Sequence, residues 1–166
     1  MVTFDVTVTP KDLTNYMFCH KYKRVSGMLE LLIGAVCLVA GIVNVASIEE
    51  KWQPYMLFLI FFGVFFLVIL PVQTWSKSAR QYLANPAYKA PFTYVLDDTG
   101  IVISQGEDSA QLPWGEVYRV VDNGKSIVVY ISKFSANILP KRCFADKYDE
   151  VKKTFEEHLD KKRCRL

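Results

Sequence analysis

The sequence predicts an α+β membrane protein: a two-helix transmembrane hairpin carrying a small antiparallel β-sheet or partial barrel, which a C-terminal helix caps. Three observations predict this class. Residues 28–48 and 55–75 are apolar runs of about twenty residues, the length a helix needs to cross a bilayer. Short alternating segments follow in residues 92–139. One apolar stripe with helical spacing closes the chain in residues 144–159.

These patterns divide the 166-residue chain into four parts. They are an N-terminal strand with a juxtamembrane helix, a transmembrane hairpin, a connector and a cytoplasmic domain, with predicted bounds at residues 1–27, 28–75, 76–90 and 91–166. The six residues between the two apolar runs leave room only for a tight turn. The two predicted spans must therefore run antiparallel.

The N-terminal segment predicts a strand followed by a helix. Residues 2–8 alternate apolar and polar side chains, which is typical of a half-buried strand. A lone strand is not stable, so we expect it to join the sheet of the tail. Thr9 as a cap, Pro10 at the first helical position and Asp12 near the positive end of the dipole then predict a helix that runs toward the bilayer.

Basic residues are concentrated beside the predicted spans. Seven of them flank the outer ends of the hairpin, whereas its turn carries Lys51 alone. The positive-inside rule therefore predicts a cell-membrane (inner-membrane) protein with both termini in the cytoplasm. Such flanks are typical of stop-transfer and snorkelling residues, with specific recognition of anionic lipid as the alternative, and we expect five of these residues to lie at the membrane surface. They are Lys21, Lys23, Arg24, Lys77 and Arg80.

One face of the first span is small or polar. Its members recur at steps of four and three residues and are Glu30, Gly34, Cys37, Gly41 and Asn44. Close helix packing in lipid needs small residues, so this face should meet the second span or another subunit. We expect Glu30 to lie level with Gln73 and Thr74, with Lys77 in reach. That placement favours structural pairing or snorkelling, with an ion or proton role as the alternative.

The segment after the hairpin carries turn signals and then strands. Pro71 is expected to loosen the last turn of the second span, and two proline dipeptides mark the polar connector. The alternating runs predict strands at residues 92–96, 101–104, 110–114, 126–131 and 135–139. Residues 115–121 fit either a helical turn or a strand. The closing stripe should cover the open face of the sheet; its members are Phe144, Tyr148, Val151, Phe155 and Leu159.

Three blocks of the tail carry a resemblance to a known family. They are residues 94–101, residues 112–117 and residues 138–144, in that order after a hairpin. Residues 91–159 thereby resemble the YcxB-like family, which joins a membrane hairpin to a domain grouped with bacterial pleckstrin-homology-like folds. The resemblance implies a bent antiparallel sheet capped by a helix. A full barrel of that kind has seven strands, and the N-terminal strand would add one to the five or six of the tail.

The residues favour binding over catalysis. The sequence contains no nucleotide-binding, hydrolase or metalloprotease fingerprint, and its four cysteines lack metal-ligand spacing. We therefore predict no catalytic residue, cofactor or metal. Trp114, Lys141 and Arg142 are candidates for a ligand or partner edge, although the two basic residues fit a solvated strand exit equally well.

Two function hypotheses remain. The first is a membrane-anchored, non-enzymatic binding module that contacts anionic lipid or a protein partner at the cytoplasmic face. The alternative is a structural or regulatory subunit of an oligomeric membrane complex that packs through its first span. The expected partners are the lipid bilayer and an anionic lipid or a membrane protein, with a homo-oligomer as an open possibility. No nucleic acid is expected.

Overall fold

The computed structural model describes residues 1–46, 48–133 and 135–166, which form two compact units. The helical unit contains residues 17–80, and the sheet unit combines residues 1–16 with residues 81–166. Because one unit is helical and the other contains two sheets, the predicted α+β class is confirmed.

Two long apolar helical segments pack against each other in the helical unit. The first is α2 (Val25–Val45). The second extends over Glu50–Ala84 and contains α3 (Gln53–Val64) and α4 (Leu70–Ala84). At 21 and 35 residues, both segments are long and apolar enough to cross a membrane.

The second helical segment contains one irregular turn and extends further than predicted. Phe65–Ile69 forms a π-helical turn immediately before α4. Pro71 lacks an amide hydrogen and its ring crowds the preceding helical turn, so local widening there is physically reasonable. The helix nevertheless continues to Ala84, whereas the sequence predicted a connector from residue 76. Asn85 then ends the helix, and its side chain accepts a hydrogen bond from the amide of Ala87.

A sharp break separates α1 (Pro10–Tyr22) from α2. Arg24 lies between them with an extended backbone. A Cβ atom at Gly27 would lie 2.3 Å from the carbonyl oxygen of Lys21, so only glycine permits this close approach. The break turns the end of α1 back toward the first turn of α2.

The first sheet contains the N-terminal strand. Its strand order is β1-β2-β3-β4, and its strands are β1 (Val2–Val6), β2 (Phe92–Leu96), β3 (Gly100–Gln105) and β4 (Asp108–Pro113). Strand β1 pairs antiparallel with β2, with Val2 opposite Leu96 and Val6 opposite Phe92. The prediction that the head of the chain joins the sheet of the tail is confirmed.

The second sheet has the order β7-β6-β5-β8. Its strands are β5 (Arg119–Asp122), β6 (Ser126–Tyr130), β7 (Ala136–Pro140) and β8 (Cys164–Arg165). Strand β8, which the sequence did not predict, pairs parallel with β5. Pro113 and a 3₁₀ turn at Trp114–Glu116 interrupt the chain between the sheets. Within the described residues there are thus two sheets and no closed barrel, because proline cannot extend a strand ladder.

The core lies between the sheets and the last helix, α5 (Tyr148–His158). Phe144, Val151 and Phe155 are fully buried in one cluster with residues of both sheets, including Leu96 and Leu139. The predicted covering role of the closing stripe is confirmed.

The second sheet is buried on both faces along β6. Ile127 and Val129 face the core cluster, whereas Val128 and Tyr130 alternate to the other side and are also buried. The ring of Tyr16 in α1 lies 6.3 Å from that of Tyr130. Tyr16 of α1 therefore contacts this outer face at Tyr130.

Candidate functional site

The packing of the hairpin places its basic flanks at one end. A Cβ atom at Gly34 would lie 2.7 Å from the Cβ of Phe66, and one at Gly41 would lie 2.6 Å from a side-chain carbon of Ile60. In each contact the two residue numbers add to about 100, as they must when antiparallel helices keep one register. The same register places Arg24 within about one helical turn of Lys77.

Four of the five predicted membrane-surface residues are exposed at this end. They are Lys23, Arg24, Lys77 and Arg80. We call these four residues the basic collar. None of them has an acidic partner among the described residues, although Arg80 Nε lies 3.4 Å from the carbonyl oxygen of Ser76. The first turn of α2 also lacks an acidic residue and a side-chain cap, which leaves the positive end of its dipole uncompensated.

Lys21 differs from the collar because it is paired. Its Nζ lies 3.2 Å from a carboxylate oxygen of Glu30 and 5.0 Å from the ring centroid of Tyr22. Glu30 is therefore in a structural ion pair, as favoured, but with Lys21 of its own end of the chain, a partner that the sequence reasoning did not name. In a straight helix Lys21 and Glu30 would be roughly 13 Å apart, and the break before α2 brings them together.

The glycine face of α2 packs against the second helical segment of the same chain. Gly34 and Gly41 are buried there, and Gly63 of α3 meets Leu38 in return. Cys37 is half-buried, but Asn44 is exposed and donates to the carbonyl of Ala40 at 2.8 Å. Of the two predicted partners for this face, the two glycines meet the second span, and Asn44 does not belong to the buried part.

Aromatic residues mark both ends of the hairpin, a feature that the sequence reasoning missed. Trp75 is exposed beside the collar. Trp52 and Tyr55 are exposed at the turn, with ring centroids 5.5 Å apart. Tyr55 and Trp75 are separated by about 30 Å along the helix, close to the thickness of a bilayer's hydrocarbon core. The spacing of these residues was visible in the sequence.

In the sheet unit, Arg142 belongs to an internal ion pair. Its guanidinium donates to both carboxylate oxygens of Asp12, at 2.6 and 2.8 Å, and to the carbonyl of Thr7 at 2.8 Å. Burial raises the pKa of Asp12, but hydrogen bonds from Arg142 and Thr9 outweigh it and hold that pKa below its ordinary value. The hydroxyl of Thr9 donates to Asp12 at 2.6 Å, and the carbonyl oxygen of Thr9 accepts from the amides of Asp12 and Leu13 at 3.0 and 3.2 Å.

Lys141 also has partners within the sheet unit. Its Nζ donates to Asp122 at 2.7 Å and lies 4.8 Å from the ring centroid of Tyr148. The hydrogen bond to Asp122 raises the pKa of Lys141. Lys141 and Arg142 are therefore not simply solvated bases at a strand exit.

Trp114 lies in the core and not on an open edge. It is only 8% exposed, and its indole donates to the carbonyl of Asp97 at 2.9 Å. Its ring stacks on His158 at 4.7 Å and meets Phe155 edge-on at 5.8 Å. A ligand-edge role for Trp114, Lys141 and Arg142 stays a prediction, and their contacts favour a structural role.

Arg163 has a structural role that the sequence reasoning missed. Four of the residues 161–165 are basic, which is typical of a solvated helix end, but α5 already ends at His158. The guanidinium of Arg163 instead donates to the carbonyls of Trp114, Gly115 and Val117. It thereby holds the turn between the sheets, and the residue after it begins β8.

The described residues therefore define a class of protein: an α+β chain in which an apolar helical hairpin is joined to a two-sheet unit. Among them, no group of three His, Cys, Asp or Glu side chains is placed to hold a metal ion. Residues 96–155, from the end of β2 into α5, match the family model of YcxB-like protein. The predicted resemblance to the YcxB-like family is confirmed over this segment. Searches of curated proteins and of solved structures gave no match to the chain.

Proposed function

We propose that this protein is a membrane-anchored, non-enzymatic binding module at the cytoplasmic face of the cell membrane. Its hairpin crosses the bilayer, and the basic collar contacts anionic lipid headgroups. The observation that carries the proposal is the set of four exposed basic side chains, without acidic partners among the described residues, at one end of two apolar helices.

The exposure of the hairpin supports its place in lipid. In the most apolar 18-residue stretch of each helical segment, only 11% and 6% of the residues are buried. The core helix of a soluble protein is mostly buried. Bulky apolar side chains such as Leu32, Val36 and Phe58 are more than half exposed. In water this surface would be costly, whereas hydrocarbon solvates it. Tryptophan and tyrosine at both ends fit the headgroup regions.

The collar sets both the orientation and the binding energy. Because cytoplasmic flanks retain lysine and arginine, the collar end is the cytoplasmic end. Each basic residue near an anionic surface contributes about 1 kcal/mol, so four contribute at most about 4 kcal/mol. That energy falls as salt screens the surface charge. We therefore expect a salt-sensitive preference for anionic over zwitterionic lipid.

The preference can be measured by native mass spectrometry of the purified full chain, mixed with phosphatidylglycerol and phosphatidylcholine. The test variant changes all four collar residues to alanine. A matched control removes the same charge from exposed lysines of the sheet unit; these are Lys125, Lys133, Lys153 and Lys161. We expect the wild type and the control to retain phosphatidylglycerol preferentially, and the collar variant to lose the preference. Equal preference in the collar variant would contradict the proposal.

The alternative is a subunit that packs through its first span, and the glycine part of its predicted contact face is already occupied. Gly34 and Gly41 are already packed against the second helical segment of the same chain. A partner could reach them only by separating the hairpin. No other contact among the described residues favours that function.

A further inference from the structure

Arg119, the first residue of β5, is an arginine without an acceptor. Its guanidinium carbon lies 4.7 Å from the ring centroid of Tyr130, and its Nε is buried without a hydrogen-bond partner. No ion pair or hydrogen bond involves its terminal nitrogens among the described residues, and the residue is partly exposed. Arg142 and Arg163 in the same unit both have protein acceptors. Arg119 is thus held in place by stacking while its hydrogen-bonding capacity stays unused.

Arg165 provides a second guanidinium on the same face. Val121 pairs with Arg165 across the parallel strands β5 and β8, so these two side chains share a face. Arg119 lies two residues before Val121 and therefore also points to that face. A strand spacing of about 4.8 Å and two residues of rise place the two arginine Cα atoms about 8 Å apart. Arg165 is exposed and has no acidic partner among the described residues.

The surface around Arg119 is apolar and aromatic. Val121 is half-buried beside it, while Val128 and Tyr130 form a buried floor and Tyr16 contacts Tyr130 from α1. Because Val128 and Tyr130 are already buried, the accessible part of this surface consists of Arg119, Val121 and Arg165, and arginine is enriched in protein–protein interfaces. The basic collar, by contrast, belongs to the helical unit.

We propose that Arg119 and Arg165 dock an extended acidic segment of a protein partner. Side chains on one face of an extended strand repeat about every 6.8 Å, close to the spacing of the two arginines. Carboxylates at alternate positions of such a segment would therefore reach both guanidinium groups, and each guanidinium binds a carboxylate through two hydrogen bonds. This site is separate from the proposed lipid contact and does not depend on it.

The test uses the full chain in phosphatidylcholine nanodiscs and a fluorescent peptide of alternating glutamate and valine. Binding is followed by fluorescence anisotropy, with a glutamine–valine peptide as the uncharged comparison. We expect Arg119→Ala to weaken binding about tenfold or more, and Arg165→Ala to weaken it less because Arg165 has no aromatic support. Arg119→Lys keeps a cation but loses the planar fork, so it should weaken binding nearly as much as Arg119→Ala.

Lys153→Ala on α5 is the control for general loss of charge, and thermal unfolding of each variant checks the fold. The proposal is overturned if the wild type binds neither peptide, or binds both equally well. It is also overturned if Arg119→Lys and Arg165→Ala, as folded variants, bind like the wild type, or if Lys153→Ala weakens binding as much as Arg119→Ala. Nanodiscs with phosphatidylserine test the alternative that the two arginines bind anionic lipid. If Arg119→Lys and Arg165→Ala lose phosphatidylserine binding and keep peptide binding, the site is a lipid site and the proposal is overturned.

Discussion

Asp12 and Arg142 stand 130 positions apart, yet two hydrogen bonds join their side chains. Asp12 is only 8% exposed, whereas the Arg142 side chain is about half exposed. A carboxylate that is buried without its cation is costly, so removal of Arg142 should cost more than an ordinary surface ion pair contributes. The pair thus joins the start of α1 to the segment before α5.

Arg142→Ala is therefore expected to lower the free energy of unfolding of the sheet unit by about 2 kcal/mol. Lys153→Ala, which removes an exposed lysine whose Nζ lies 3.7 Å from a carboxylate oxygen of Glu157, should change it by less than about 0.5 kcal/mol. Urea unfolding of the full chain in detergent, followed by tryptophan fluorescence, measures both. Equal stability of the two variants would show that Arg142 contributes no more than a surface charge.

The same pair gives stability a defined pH dependence. Because the pKa of folded Asp12 is lowered, its contribution is fully present above the unfolded value of about 3.9 and is lost as the pH falls through the folded value. Arg142→Ala should therefore flatten the decline in unfolding free energy below about pH 4. A decline as steep as in the wild type would contradict this assignment.

At the scale of elements, Gly63 of α3 permits a close contact between the two helical segments of the hairpin. A Cβ atom there would lie 2.6 Å from the Cβ of Leu38 and 2.8 Å from its backbone. Backbone atoms cannot yield as a flexible side chain can, so the two helices would have to separate. Helix packing in lipid depends on such contacts between small residues.

Gly63→Ala is thus expected to destabilise the helical unit by about 2 kcal/mol through overpacking. Gly115→Ala is the matched control, because a Cβ atom at Gly115 has no neighbour within 4 Å. Thermal loss of the helical circular dichroism signal in detergent compares the two. An unchanged melting temperature for Gly63→Ala would mean that the helices do not pack at this position.

At the scale of the whole molecule, the two ends of the chain complete one unit. Strand β1 and the start of α1 belong with residues 81–166, and the hairpin is inserted between them in sequence. Because the two ends share one folded unit, they must lie on the same side of any membrane that the hairpin crosses. The orientation of the chain across a membrane can therefore be tested at a single residue of each unit.

Single cysteines placed at Glu49 and at Lys125 provide that test, in a chain whose four native cysteines are changed to serine. In right-side-out membrane vesicles, a membrane-impermeant maleimide should label Glu49→Cys at once. Lys125→Cys should react only after detergent opens the vesicles, because the positive-inside rule assigns the side of the basic collar to the cytoplasm. Immediate labelling of Lys125→Cys would contradict the orientation, and protection of both sites would contradict a membrane-crossing hairpin.

The sequence by itself determined the elements whose signal is local. The two apolar runs, the alternation of β1 and the stripe from Phe144 to Leu159 depend only on periodicity and length, and all are present in the structure. The family resemblance also rested on local blocks, and it is confirmed over residues 96–155.

Only the tertiary structure decided which side chains meet. The break before α2 brings Lys21 within 3.2 Å of Glu30. Segments that are distant in sequence bring Arg142 to Asp12, and Arg163 to the turn after β4. These contacts depend on where the backbone changes direction and on which segments become neighbours. Neither property is encoded in the spacing of the residues involved. This explains why Trp114, Lys141 and Arg142, the candidates for a ligand or partner edge, have structural partners within the sheet unit.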